Sequence, residues 1–147
     1  MKHLRMPTAI GIALMTGVTL FAGPGEGKTA EEAARIAAGE AALSWLALVD
    51  AGEYAKSWNA AAALFQKQVT SERWERTVAG VRGEFKKLLS RKPAKADYSR
   101  TLPGAPDGEY VVQQYASAFE NKKEAMETVV LLKEKDGSWK VVGYFIR

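Results

Sequence analysis

The sequence predicts an α+β fold: about three N-terminal helices packed on a curved, four-stranded antiparallel sheet. Two observations carry that expectation. Apolar residues recur at three- and four-residue steps as far as Leu88, the period of a helix face. Beyond Ala94 the chain changes to short β-rich runs separated by turn formers. Helices first and strands afterwards is the order of an α+β domain, because alternation of the two would be needed for a parallel sheet.

The chain opens with Lys2 and Arg5, and then stays uncharged from Met6 to Gly25 around Ile10, Ile12, Leu14, Val18, Leu20 and Phe21. A basic end, an apolar body and small residues after it make a secretory signal, with the cut expected after Ala22. Pro7, Gly11 and Gly17 weaken the same stretch as a retained anchor, which needs about 20 apolar residues to span a bilayer. Residues 1–22 are therefore read as signal and residues 23–28, "GPGEGK", as a flexible leader. Residues 29–147 form a single domain, periplasmic or secreted and without stable membrane insertion after cleavage.

Thr29 can cap the first helix, whose first turn holds Glu31 and Glu32 where the positive helix end favours acids. Its apolar stripe is Ala38, Ala41, Ala42, Trp45, Leu48 and Val49, and Gly52 is the stop, since glycine takes the left-handed conformation at helix ends. A second, shorter helix starts near Glu53 or Tyr54 and shows Tyr54, Trp58, Ala61 and Ala62 at helical spacing. Thr70 or Ser71 caps a third, running to about Leu89 with Trp74, Val78, Val81, Phe85 and Leu88 on one side. Arg91, Lys92 and Pro93 end it. Strands follow over Tyr98 to Leu102, Tyr110 to Phe119, Glu124 to Lys133 and Trp139 to Ile146. Asp136-Gly137 is the strongest hairpin signal in the chain. For the third strand, Met126, Thr128, Val130 and Leu132 are taken as the inner face, which sends Glu127 to the helix-free side.

Composition removes several chemistries. The chain has no cysteine and one histidine, His3, inside the expected signal. Imidazole triads and thiolate or imidazole zinc sites are thereby excluded from the mature domain. No metal, cofactor or catalytic residue is assigned. The formal charge of +4 falls to +2 once Lys2 and Arg5 leave, so nucleic acid has no compositional support as a partner. The cluster Lys86, Lys87, Arg91, Lys92 and Lys95 is read as cations at a helix C-terminus.

Four segments, "WLALVDAGEYAKSW", "LPGAPDGEYVV", "FENKKEAMETV" and "DGSWKVVGYFIR", resemble in order and spacing the bacterial secreted family known as domain of unknown function 4019. The likeness runs from about Ala38 to Arg147. The element order is also similar to the broader nuclear-transport-factor-2-like, or cystatin-like, architecture, which implies helices across a bent sheet and often a conical cavity. The resemblance implies no catalytic residue.

The densest aromatic stretch, Trp45, Tyr54 and Trp58 around Gly52, reads first as packing between helices, because helical spacing alone predicts it. The candidate ligand-binding residues are Trp58, Gln113, Tyr115 and Ser117. The last three share one face of a strand with Val111 and Phe119. If that face is inward, its polar groups either bond to neighbours and backbone or line a small pocket. The functional expectation is a non-catalytic envelope module binding a small molecule or an envelope protein, with homodimerisation through the sheet as a further option. The alternative is a small hydrolase or isomerase that uses Tyr and carboxylate groups in a conical cavity.

Overall fold

The computed structural model describes residues 24–147; the expected signal, residues 1–22, and Gly23 lie outside the described residues. The element order is α1 (Pro24–Asp50), α2 (Tyr54–Ala60), α3 (Ala63–Gln68), α4 (Ser71–Phe85), β1 (Leu88–Ser99), β2 (Tyr110–Phe119), β3 (Lys122–Lys133) and β4 (Trp139–Ile146). The strands form one antiparallel sheet in the order β1-β2-β3-β4. The helices pack against one face of it, giving the α+β layering expected.

Helix α1 begins at Pro24, five residues before the Thr29 cap that the sequence suggested, and residues 24–28 lie within it. It ends as expected at Gly52, whose φ of 74° a side chain would oppose. The Gly52 N–H donates to the Val49 carbonyl at 3.0 Å and the Glu53 N–H to the Leu48 carbonyl at 2.9 Å. This pair of bonds is the Schellman arrangement that satisfies the last carbonyls of a helix. The expected second helix is two. Ala61 and Ala62 take extended backbone angles between α2 and α3, and the freed Ala62 N–H donates to the Val141 carbonyl at 2.8 Å. A bond to the sheet therefore replaces a helical one. Of the two caps expected for α4, Thr70 and Ser71, it is Thr70 that serves, its hydroxyl accepting from the Arg73 N–H at 3.3 Å.

Helix α4 stops at Phe85 rather than near Leu89, and the first strand runs Leu88–Ser99 rather than Tyr98 to Leu102. The polar run "SRKPAKADY" is thus strand, not helix end. Lys86 breaks the helix at φ 64°, and β1 pairs with β2 along nearly its whole length, with irregularities between Leu88 and Ser90 and between Pro93 and Lys95. Each inserts a residue that disrupts the two-residue period. Arg91, Lys92 and Lys95 of the basic cluster accordingly lie on β1 and are not helix-terminal cations, while Lys86, at the cap, and Lys87 lie between α4 and β1.

The core is where the apolar stripes meet. Ala38, Ala42, Trp45, Leu46 and Val49 of α1 pack with Phe65, Trp74 and Val78 over Val111, Tyr115, Val129, Leu131 and Val141 of the sheet. On β3 the buried set is Ala125, Glu127, Val129 and Leu131. The inner face expected from the sequence, Met126, Thr128, Val130 and Leu132, is the outer one. Glu127 correspondingly points towards the helices. Both alternating sets of this strand are apolar enough to be buried, so the period alone does not choose between them. A bulge between Val130 and Leu131 pairing, with Val142 as the extra residue of β4, then brings Val141 and Tyr144 to the same inner side.

Candidate functional site

The aromatic corner is built from the hinge outward. The Trp45 indole N–H donates to the Ser57 carbonyl at 2.8 Å, and the Trp74 indole N–H donates to the Ser57 hydroxyl at 2.9 Å. Ser57 is wholly buried and in turn donates to the Tyr54 carbonyl at 2.7 Å. Three helices thereby share one serine. Trp45 lies 5.8 Å from Trp74 and 5.5 Å from Tyr144, ring centre to ring centre, within the range of favourable aromatic pairs. Trp58 is half-buried and its N–H donates to the Val69 carbonyl at 2.8 Å, which ties α2 to the segment after α3.

Gln113, Tyr115 and Ser117 do lie together on the inner face of β2, with Val111 and Phe119. The Gln113 amide donates to the carbonyls of Lys95 and Gln114 at 3.0 and 3.2 Å. Tyr115 is buried in the core, and its hydroxyl pKa is pushed up to about 12, chiefly by burial. Ser117 leads to a constellation that the sequence reading missed. Its hydroxyl donates to Glu127 Oε1 at 2.5 Å.

Glu127 has no exposed surface and accepts four hydrogen bonds. Arg91 Nε reaches Oε1 at 2.7 Å, Arg91 Nη2 reaches Oε2 at 3.0 Å, and the Tyr144 hydroxyl donates to Oε2 at 2.6 Å. Arg91, with 9% of its side chain exposed, turns its other edge to Asp50, donating from Nη1 to Oδ2 at 2.7 Å and from Nη2 to Oδ1 at 2.9 Å. Arg82 Nη2 donates to Asp50 Oδ1 at 2.7 Å. The planar guanidinium fork of Arg91 makes paired bonds to two carboxylates at once, which the fewer donors of an ammonium could not supply. Six elements, α1, α4 and all four strands, each contribute a residue to this network.

The electrostatics balance. Two guanidinium groups face two carboxylates, so the buried set is formally neutral, the condition under which buried charge is tolerated. Asp50 closes the C-terminus of α1, an end that disfavours anions. Burial would raise its carboxyl pKa, but the hydrogen bonds and charges of Arg91 and Arg82 outweigh burial and hold it below the usual range. Burial lowers and the two carboxylates more strongly raise the Arg91 pKa, keeping it charged. Tyr144 is held protonated, by burial first and then by the charge of Glu127 and the bond to it. Arg82 lies with its guanidinium carbon 4.9 Å from the Phe119 ring centre. Its Nε and Nη1 are buried without a hydrogen-bond partner, and the ring face supplies part of what a carbonyl otherwise would.

Chemically, this arrangement holds rather than transforms. Every acceptor position of Glu127 is filled, and no surface is open for a substrate proton to reach it, as a general base requires. Among the described residues no group of three or more Asp, Glu, His or Cys side chains is placed to hold a metal ion. The signal for the network was present in the sequence only as an acid in the middle of an apolar strand, Glu127, and an arginine near a proline, Arg91.

No curated protein and no solved structure matches the chain. A family model described as protein of unknown function (DUF4019) matches residues 41–144. That span takes in the aromatic corner, Asp50, Arg82, Arg91, Ser117, Glu127 and Tyr144, and over it the chain belongs to the DUF4019 family.

Proposed function

We propose that this chain is a non-catalytic interaction module, exported to the periplasm or beyond after cleavage near Ala22, that works by presenting a rigid sheet to a partner. The observation that carries this reading is the enclosure of Glu127. With 0% exposure and four donors around it, this carboxylate serves to clamp helices to strands. The alternative, a hydrolase or isomerase with a Tyr and carboxylate pair in a conical cavity, requires that pair to meet substrate, and the pair on the inner sheet face, Tyr144–Glu127, is closed. Helices across an antiparallel meander are consistent with a nuclear-transport-factor-2-like or cystatin-like architecture, in which the sheet leaves one face uncovered.

That outer face supports the reading further. Val112, Gln114, Met126, Thr128, Val130 and Leu132 are only half-buried there, a row of mostly apolar side chains facing away from the helices. Such a face is suited to a flat partner or to a second copy of the chain. Native mass spectrometry of the protein purified from its own envelope tests the reading. A species heavier than the single mature chain is expected, with a retained protein, a retained small molecule or a second copy. A bare monomer under conditions that preserve known complexes would overturn it, and the mass of the chain itself reports whether residues 1–22 have been removed.

A further inference from the structure

The two edges of the sheet differ. The β1 edge is interrupted by Pro93, by two irregularities in its pairing and by Lys92 and Lys95, the devices that keep an edge from recruiting further strands. The β4 edge is closed only at its start, where the Ala62 N–H bonds to the Val141 carbonyl. At its other end the Arg147 and Met126 backbones exchange both bonds, at 2.8 and 3.1 Å. Antiparallel ladders alternate, so Arg147, Phe145 and Gly143 direct their backbone groups to β3, while Tyr144 and Ile146 direct theirs outward. Among the described residues no backbone group outside the sheet bonds to residues 142–146.

Beside this open edge runs a groove of about 410 Å³ between α3, α4 and β4. Phe65, Val69 and Trp74 line its apolar wall, and Arg73 is its one charged lining residue. Phe145, 64% exposed, stands at its margin. Arg73 has no carboxylate within ion-pair distance among the described residues.

We propose that the Val142–Ile146 edge of β4 takes up an extended, acidic peptide segment of another protein as a fifth strand. Its backbone bonds to Tyr144 and Ile146, an apolar side chain enters the groove against Phe65 and Trp74, and an acid pairs with Arg73. This is strand addition, in which backbone bonds supply affinity and pockets for alternate side chains supply selectivity. A second copy fits the edge less well. Antiparallel pairing through Tyr144 lays its Arg147 end against Val141, whose carbonyl Ala62 already holds, and beside Lys140. The inference rests on the chain being an interaction module, but it uses the sheet edge and not the outer sheet face.

The test titrates the full chain into a fluorescein-labelled peptide, Glu-Thr-Val-Thr-Val-Glu, and follows anisotropy. Three comparisons accompany it: the same peptide with lysines for the glutamates, the acidic peptide N-methylated at alternate residues, and the protein variants Ile146→Pro and Arg73→Glu. Saturable binding of the acidic peptide is expected. N-methylation in the phase that faces β4 should weaken it about tenfold or more, since it removes several backbone bonds, and Ile146→Pro about fivefold, since it removes the one bond donated by the Ile146 N–H. Arg73→Glu, an exposed helix position, should weaken the acidic peptide and favour the lysine one. No binding, or binding indifferent to N-methylation or to charge, overturns the proposal. Self-association lost on Ile146→Pro would assign the edge to a second copy and overturn it too. A dimer through the outer face would instead be disrupted by Thr128→Arg with peptide binding intact, so the two readings fail separately.

Discussion

Replacing Arg91 by Met keeps most of the side chain's volume while deleting the charge that both carboxylates share. Four hydrogen bonds go with it, two to Glu127 and two to Asp50. Asp50 retains Arg82 and, with 25% of its side chain exposed, can draw on water. Glu127 cannot, because it has no exposed surface and keeps only the neutral hydroxyls of Ser117 and Tyr144. Breaking a buried ion pair by removing one partner costs about 3–5 kcal/mol, and for a domain of this size each kcal/mol lowers the melting temperature by roughly 3–5 °C. A loss of about 10–20 °C is expected, read by urea and thermal unfolding followed by circular dichroism. Adding Glu127→Gln to Arg91→Met removes the stranded charge and leaves an amide oxygen to accept from one of the Ser117 and Tyr144 hydroxyls and an amide N–H to donate to the other. The double variant should therefore recover about 1–3 kcal/mol relative to Arg91→Met alone. An Arg91→Met protein within about 1 kcal/mol of the parent, or a double variant no better than the sum of the two single losses, would refute the claim that Glu127 depends on this cation.

Three further outcomes follow from the same contacts. Trp45→Ala empties a core site that spans α1, α2 and β4 and should cost about 3–5 kcal/mol; unchanged stability in denaturant melts would contradict the packing role of the aromatic corner. Because the folded Asp50 pKa lies below its ordinary value of 3.8, its contribution is complete above that pH and disappears as pH falls through the lowered folded value. Asp50→Asn should accordingly be less stable than the parent at neutral pH and lose that difference in acid, as measured by unfolding across the pH range. Tyr115 and Tyr144 have raised pKa values, so their protonated forms favour the fold below about pH 10, and that contribution declines as pH rises beyond it. Tyrosinate absorbance at about pH 11 should report these two as un-ionised until the chain unfolds.

Much of the fold was legible from local signals. Gly52 and Thr70 marked a helix end and a helix start because the backbone groups there need those residue types. Asp136-Gly137 marked the last hairpin, with Gly137 at φ 87°, where only a residue tolerant of that angle fits cheaply. The strands Tyr110–Phe119 and Trp139–Ile146 were read at their observed limits. Strand β1 was not, since "SRKPAKADY" carries cations, a proline and an inserted residue and so has no clean alternation to detect. The helical stripe of α4 ran on into Leu88 by coincidence of spacing, and only pairing with β2 claims those residues for the sheet.

The candidate site divides in the same way. Gln113, Tyr115 and Ser117 were legible as one strand face, because alternation places them together whichever way the strand turns. Their partners were not: Asp50, Arg82, Arg91, Glu127 and Tyr144 are separated by 32 to 41 residues along the chain at the links Arg82–Asp50, Arg91–Glu127 and Arg91–Asp50.

The sequence by itself determined the order of elements, the hinge, the turns and the absence of imidazole and thiol chemistry from residues 24–147, because these depend on single residues and short periods. Which face of β3 is inward, and hence that Glu127 is a buried clamp, was decided only by tertiary structure. Two apolar faces compete on that strand, and the one chosen is the one whose acid meets an arginine arriving from another strand.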